Sequence, residues 1–282
     1  MSDLREINLF SGIGGVALGL KRAGFRTVCY CEVNPFCQDR LIERMKDGTL
    51  DSAPLWSDVS DFDGRPWSGE AEILSAGWPC QGNSIAGKHG GLSDARSGLW
   101  RHVKRILGEV RPLVFLGENV PGLLSVNGGR DFLQVIQDLE ELGYGVAWRV
   151  LDARYFGVPQ RRRRVFIVGY LGAPPPVRVL FDGADSPMVQ GGIAKEDVRA
   201  SRFVSLPLRA ESVKHGNLPV LIGACPDSHA CPDSQGVRAF DGSTRRLDMA
   251  RYRSLGNSVA VPVLEWIGKG VVEALRERRM IS

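Results

Sequence analysis

An α/β fold with a mostly parallel sheet is what three features of the sequence predict. Short apolar runs of β character alternate with helical periodicity from the start to about residue 170. Three glycines, Gly12, Gly14 and Gly15, stand directly between the first such run and the first helical stretch. Segments carrying reactive side chains sit in loops beside the ends of later runs. Open parallel sheets place their sites there, in the crevice beyond the carboxyl ends of the strands.

The elements follow in order. "REINLF" (5–10) is the first strand and "TVCYCE" (27–32) the second. "AEILSA" (71–76), "PLVFLG" (112–117), "GVAWRVL" (145–151) and "RVFIVGY" (164–170) continue the sheet. Between them Leu99, Val103, Ile106, Leu107 and Val110 recur at helical spacing, as do Phe132, Ile136, Leu139 and Leu142. Those stripes are expected to cover the sheet. Near residue 171 the composition shifts, and residues 171–250 hold eight of the 16 prolines. This predicts a loop-rich insert, in which "ACPDSH" (224–229) is followed at once by "ACPDSQ" (230–235). Val259, Val263, Ile267, Val271 and Leu275 then predict a closing helix that rejoins the main domain. The expected division is 1–170, 171–250 and 251–282.

Composition bounds the rest. With 282 residues, 43% hydrophobic and 24% charged, the chain has ordinary globular make-up. No apolar run is long enough to cross a bilayer and the start lacks the apolar middle of a signal peptide, so a cytoplasmic protein is expected. Cysteines at 29, 31, 37, 80, 225 and 231 lack the regular spacing of a disulfide framework and are expected as free thiols. His229 beside two cysteines does not make a zinc spacing, and no metal is expected. The net charge of +4 is compatible with a polyanionic partner and decides nothing alone.

Chemistry is legible at two ends. "LFSGIGGVALGL" (9–20) suits a tight turn and close backbone approach to a ligand beside a helix N-terminus. Glu32 follows Gly12 by 20 residues, where an acidic side chain binds ribose hydroxyls. Asp58, in "SDVSDF", is a candidate partner for an adenine amino group. Gly12-x-Gly14-x-x-Ala17 also satisfies a relaxed dinucleotide fingerprint, which keeps an NAD enzyme in view.

At the other end, Cys80 follows the run at 71–76, Glu118 in "LGENVPG" follows the run at 112–117, and Gln160 to Arg164 precede the run at 164–170. The arginines must reach the crevice from an antiparallel strand or a hairpin. A thiolate suits addition to an electron-poor ring carbon, a carboxyl can share a proton with a ring nitrogen, and arginine offers a fork of donors. Together these groups can activate a pyrimidine. In "AGWPCQGNS" (76–84), Pro79 restrains the backbone before Cys80 while Gly77 and Gly82 let the loop fold over a base.

Taken together these residues resemble the DNA (cytosine-5)-methyltransferase family, over nearly the whole of 7–170 and again at 251–270. "FSGIGG", "PCQGNS", "ENV", "QRRRR" and "RSLGNSVAVP" (253–262) match its motifs in order. The resemblance implies a Rossmann-like methyltransferase fold with a small target-recognition domain at 171–250 and a cleft for double-stranded DNA. It implies an S-adenosylmethionine pocket of Phe10, Gly12, Ile13, Gly14 and Gly15, with Glu32, Val33, Asp58 and Val59. Pro79, Asn257, Ser258 and Val259 complete that pocket in this reading. Cys80 is then the nucleophile at C6 of a flipped cytosine, Glu118 the partner of N3, Arg162 that of O2, and Arg164 a holder of the loop or of a phosphate.

DNA contacts are assigned to Gln81, Ser84, Gln160, Arg161 and Arg163, with base reading by Arg245 or Arg246. Trp78 and Asn83 depart from the family's commoner residues, and "STRRLDMARYRSLGN" keeps only fragments of the stretch before the last motif. Nine Lys/Arg balance nine Asp/Glu in 171–250, so that segment is not basic overall. A monomer acting on DNA in a bacterial or phage-infected cell, with or without a partner restriction endonuclease, is the expectation. tRNA methylation by the same cysteine chemistry and a catalytically silent DNA-binding relative are the alternatives.

Overall fold

The computed structural model describes residues 4–79, 97–180, 204–205 and 258–281. Strands β1 (Leu4–Leu9), β2 (Phe25–Cys31), β3 (Leu55–Trp56), β4 (Ile73–Ala76) and β5 (Val114–Asn119) pair in parallel. β7 (Arg163–Leu171) runs antiparallel between β5 and β6 (Tyr144–Asp152), and β8 (Val204–Ser205) is antiparallel to β6. The order across the sheet is β3-β2-β1-β4-β5-β7-β6-β8.

Five helices accompany it among the described residues: α1 (Gly15–Ala23), α2 (Pro35–Lys46), α3 (Trp100–Val110), α4 (Arg130–Glu141) and α5 (Val261–Ile281). None is long and apolar enough to cross a membrane.

Both faces of the sheet are covered. On one, Val103, Ile106 and Leu107 of α3 and Val135 and Leu139 of α4 pack with Ile7, Leu9, Leu74 and Phe115. On the other, Leu20 of α1 and Val263, Leu264, Ile267 and Val271 of α5 pack with Ile73, Val114, Leu116 and Val168. Each such side chain, fully removed from water, contributes about 1.5–3 kcal/mol. The predicted stripes on α3 and α4 are the buried faces observed.

α1 and α5 cross at close range. A Cβ on Gly19 would collide with Leu264, and one on Gly268 would lie 2.6 Å from the Cβ of Ala23. Small residues at the crossing let the backbones approach, and α5 thereby delivers residues 258–260 to the N-terminus of α1. A bulky side chain at either glycine would force the helices apart.

Strand ends differ from the sequence expectation at the positions that matter. β5 runs on to Asn119, so Glu118 is a strand residue and not part of the loop beyond. β7 starts at Arg163, one residue before the expected start, so Arg163 joins Arg164 in the strand. The cause is non-local: Glu118 pairs with Phe166 and Asn119 with Val165, which lengthens β5, while Leu151 pairs with Arg164 and Asp152 with Arg163, which starts β7 at Arg163. β7 is the antiparallel route by which the arginines reach the crevice.

α2 and β3 have no counterpart among the strands and helices that the sequence pattern predicts. A local signal for α2 exists all the same: Asn34 accepts from the N–H groups of Phe36 and Cys37 at 3.0 and 3.4 Å, and Pro35 occupies the first turn. Beyond β7 the chain returns to the sheet, where buried Arg149 donates to the carbonyl of Leu180 at 2.7 Å and Val179 and Leu180 join the second core.

Candidate active site

The cofactor end is built by a strand that stops abruptly. Phe10 leaves β1 with φ 55°, Gly12 has φ 55° and Gly14 has φ 84°, so the turn passes three times through the left-handed region. Glycine relieves that strain at two of the three positions. A Cβ at Gly12 would meet nothing within 4 Å, which leaves its outer face open. Gly15 is enclosed instead: its Cβ would sit 2.8 Å from Ser258 Oγ and 3.1 Å from Val259 Cγ2. The segment before α5 thus abuts the glycine turn, and Asn257 lies outside the described residues.

Glu32 stands just past β2 and is 9% exposed. Its Oε2 accepts from Gly12 N at 2.6 Å and its Oε1 from Asn34 N at 2.8 Å. The carboxylate therefore ties the glycine turn to the start of α2. Two N–H groups leave lone pairs on both oxygens for further donors. Ile13 is buried, and its carbonyl accepts from the Arg44 guanidinium. Val33, beside Glu32, is 65% exposed.

Asp58 accepts from Ser60 N at 2.8 Å, and this bond with the Ser60 side chain holds its carboxyl below the usual range. Val59 turns away into the main core. The thiols nearby are inert, for burial pushes Cys29 and Cys31 up to about 12, and Cys29, Cys31 and Cys37 are free.

The chemical end lies two and three strands along. Glu118 is 9% exposed, and its Oε1 lies 2.9 Å from Arg164 Nε. A Cβ on Gly77 would be 3.3 Å from its Oε2, so glycine there leaves the carboxyl room beside the outgoing loop. Burial raises the Glu118 pKa above the ordinary carboxylate range, against the opposing pull of Arg164 and then Arg162. Burial likewise lowers that of Arg162, helped by the charge of Arg164 and opposed by Glu118. A carboxyl inclined to keep its proton thus faces two guanidinium groups. Arg164, expected on the loop or a phosphate, has Glu118 as its ionic partner and donates to the Arg163 carbonyl at 2.8 Å.

The loop that leads to Cys80 is anchored up to its last described residue. Asn119 Nδ2 donates to the carbonyl of Trp78 at 3.2 Å while its Oδ1 accepts from Val120 N at 2.8 Å. The Trp78 ring is 4.9 Å from that of Trp100, and Trp100 Nε1 donates to Asp138 at 2.7 Å. The departure at Trp78 is therefore absorbed in the core beneath Pro79. Cys80, Gln81, Ser84, Arg245 and Arg246 lie outside the described residues. Gln160 and Arg161, on the approach to β7, and Arg163, its first residue, are exposed.

Two residues at this end carry roles that the sequence pattern does not predict. Asn119 is the middle of the "ENV" motif, and Asp152 belongs to none of the motifs. Asp152, at the end of β6, is buried and accepts from Arg162 N at 3.2 Å. Its one local signal is an Asp heading the turn "ARYF", which it caps by accepting from Arg154 N.

Five parallel strands, an antiparallel strand inserted beside the fifth, and a glycine turn facing an acid at the end of β2 define an α/β methyltransferase fold. The chain matches the C-5 cytosine-specific DNA methylase family over residues 4–185. It is 37% identical to the type II methyltransferase M.BanI of Aneurinibacillus aneurinilyticus over 174 residues, a match covering 61% of this chain and 40% of that protein. It is 30% identical to M.NgoBI of Neisseria gonorrhoeae over 299 residues, 93% of this chain and 90% of that protein. A methyltransferase of Entamoeba histolytica, EhMeth, shares the fold with a TM-score of 0.51 at 19% identity, over 61% of this chain and 54% of that one. The chain belongs to the C-5 cytosine-specific DNA methylase family.

Proposed function

We propose that the protein transfers a methyl group from S-adenosylmethionine to C5 of a cytosine flipped out of a specific short sequence in double-stranded DNA. One observation carries the reading: Glu118, a desolvated carboxyl with a raised pKa, faces Arg164 and Arg162 beside the segment that leads into Cys80. Type II methyltransferases are among its relatives, which supports DNA as the substrate.

The residues at the cofactor end fit S-adenosylmethionine. The outer face of Gly12 is open, Glu32 keeps lone pairs for ribose hydroxyls, and Asp58 holds its charge for an amino group. Val33 offers an exposed apolar face to a purine and Ser258 abuts the glycine turn, with Asn257 assigned to the same pocket by the family resemblance. The cofactor supplies an electrophilic methyl group.

The chain's own residues do the rest. Cys80 Sγ, as the thiolate, bonds to C6 as Glu118 gives its proton to N3; the C5–C6 π pair moves to C4–C5 and the C4–N3 π pair onto N3, so that C5 becomes nucleophilic as part of an enamine. Arg162 offers donors to O2. After methylation the C5 proton leaves to a base or water, the S–C6 bond breaks, and N3 returns its proton to Glu118. Gln81, Ser84, Gln160, Arg161 and Arg163 contact DNA, with Arg245 or Arg246 reading bases. The enzyme works as a monomer in the cytoplasm, paired with a restriction endonuclease or alone.

The test is transfer of labelled methyl to unmethylated duplex DNA, followed by base-resolution mapping. Label at cytosine C5 within one short recurring sequence is expected. Cofactor binding without DNA label would overturn the reading in favour of tRNA methylation or a silent relative.

A further inference from the structure

We infer that Asp152 is a positioning residue for Arg162, and so for the contact with the pyrimidine carbonyl; this rests on the function proposed above. β6 and β7 pair in antiparallel register as far as Asp152 opposite Arg163. Beyond that rung the strands part, and the next link is hybrid. Ala153 N donates to the Arg162 carbonyl at 3.0 Å, while Arg162 N donates to Asp152 Oδ1 at 3.2 Å. A side-chain oxygen thus takes the place of a strand carbonyl, and both backbone polar groups of Arg162 are held.

Asp152 is itself fixed. It is 6% exposed, its Oδ1 also accepts from Arg154 N at 3.2 Å, and its Oδ2 accepts from Arg154 Nε at 3.1 Å with Arg154 Nη2 also 3.1 Å from that same oxygen. Both carboxylate oxygens are therefore engaged by Arg154, one by its backbone and one by its charged side chain. Arg154 lies over the ring of Tyr155 at 5.4 Å, which restrains that side chain in turn. The outcome is a rigid root for Arg162 at the point where an exposed loop, with Gln160 and Arg161 at the surface, enters the sheet. Arg162 needs such a root because its own side chain is half-desolvated beside the like charge of Arg164, an arrangement that would otherwise push it out to water.

The experiment compares Asp152→Ala, Asp152→Asn, Asp152→Glu, Arg162→Ala and the double variant Asp152→Ala/Arg162→Ala. It reads single-turnover methyl transfer to duplex DNA, S-adenosylmethionine affinity by calorimetry, and thermal unfolding. Asp152→Ala should slow transfer about tenfold or more, the scale on which a misplaced group costs rate, while cofactor affinity holds. Asp152→Asn keeps the accepting oxygen and should recover most of the rate, whereas Asp152→Glu keeps the charge but moves the acceptor and should not. In the Arg162→Ala background the loss at Asp152 should vanish, because both changes break one interaction.

Wild-type speed in Asp152→Ala, or losses that multiply in the double variant, would overturn the inference alone. So would a parallel fall in cofactor affinity, which marks a general loosening. Where Asp152→Ala does not fold, the Asn and Glu variants decide: equal rates in the two overturn the inference, and a faster Asn variant supports it. Wild-type protein that labels no cytosine overturns the proposed function, and this inference with it.

Discussion

Two buried carboxyl groups stand at the same edge of one sheet and are equally exposed, at 9%, yet they are solvated in opposite ways. Glu32 has a backbone N–H on each oxygen, from Gly12 and Asn34. Glu118 is met instead, among the described residues, by the guanidinium of Arg164 and the bare edge of Gly77. Backbone donors tie a carboxyl to the chain at both oxygens; burial without them favours the neutral acid. The first arrangement organises a turn and presents lone pairs. The second sets a desolvated carboxyl with a raised pKa beside cations, which suits the proton-sharing role proposed for it.

The largest effect that can test this contrast comes from Cys80→Ser, which should abolish methyl transfer while DNA and cofactor binding persist. Full activity in that variant would remove the thiol from the chemistry and leave Glu118 without a reaction to serve. Next, Glu118→Gln should cut methyl transfer by about 10²–10⁴-fold, the usual worth of a positioned acid, with cofactor affinity unchanged. Its pH profile adds the sign. The raised pKa keeps the proton on Glu118 to a higher pH than an ordinary carboxyl, so wild-type transfer should fall as pH rises through that value. The limb should be missing in Glu118→Gln; if it persists, another group titrates.

Glu32→Ala should act at the other end. Loss of hydrogen bonds to a charged acceptor costs roughly 1.5–3 kcal/mol each, so S-adenosylmethionine affinity should drop about tenfold or more, while the bound complex still carries out chemistry. Unchanged affinity by calorimetry would make Glu32 a brace for the turn and nothing further.

The smallest effect concerns a third carboxyl that takes no part in either site. Glu6, in the middle of β1, is wholly buried, accepts from Ser75 Oγ at 2.5 Å and Thr27 Oγ1 at 2.8 Å, and is raised from 4.5 to about 7, chiefly by burial. The folded state then holds a proton that the unfolded chain has released between those two values. Stability is full below about 4.5, declines as pH rises toward about 7, and stays at the lower level above it. Glu6→Gln should flatten this part of the stability profile and leave methyl transfer at neutral pH nearly unchanged. An identical slope in the variant would place the proton elsewhere.

Much of the fold is legible in the sequence because local patterns and tertiary demands agree in it. The apolar stripe of α3, from Val103 to Val110, and the buried strand around Ile73 and Leu74 are visible there since a helix and a doubly covered strand each have a period. The glycine turn is legible for a similar reason, since backbone conformation restricts residue type at Gly12 and Gly14, and Glu32 is legible from its spacing to that turn. β3 escapes because it is two residues long and exists through its pairing with Tyr30 and Cys31. Asp152 escapes because an Asp before a turn is commonplace, and only its bond to a residue ten positions on gives it a role.

By itself, the sequence determined the α/β class and the order of the motifs that carry the family resemblance, because periodicity and motif order are properties of the chain alone. Only the tertiary structure decided that burial raises the pKa of Glu118, that Arg164 stands 2.9 Å from its carboxyl and that Arg162 is rooted on Asp152. Desolvation and antiparallel pairing arise between segments far apart in the chain, and no local pattern encodes either.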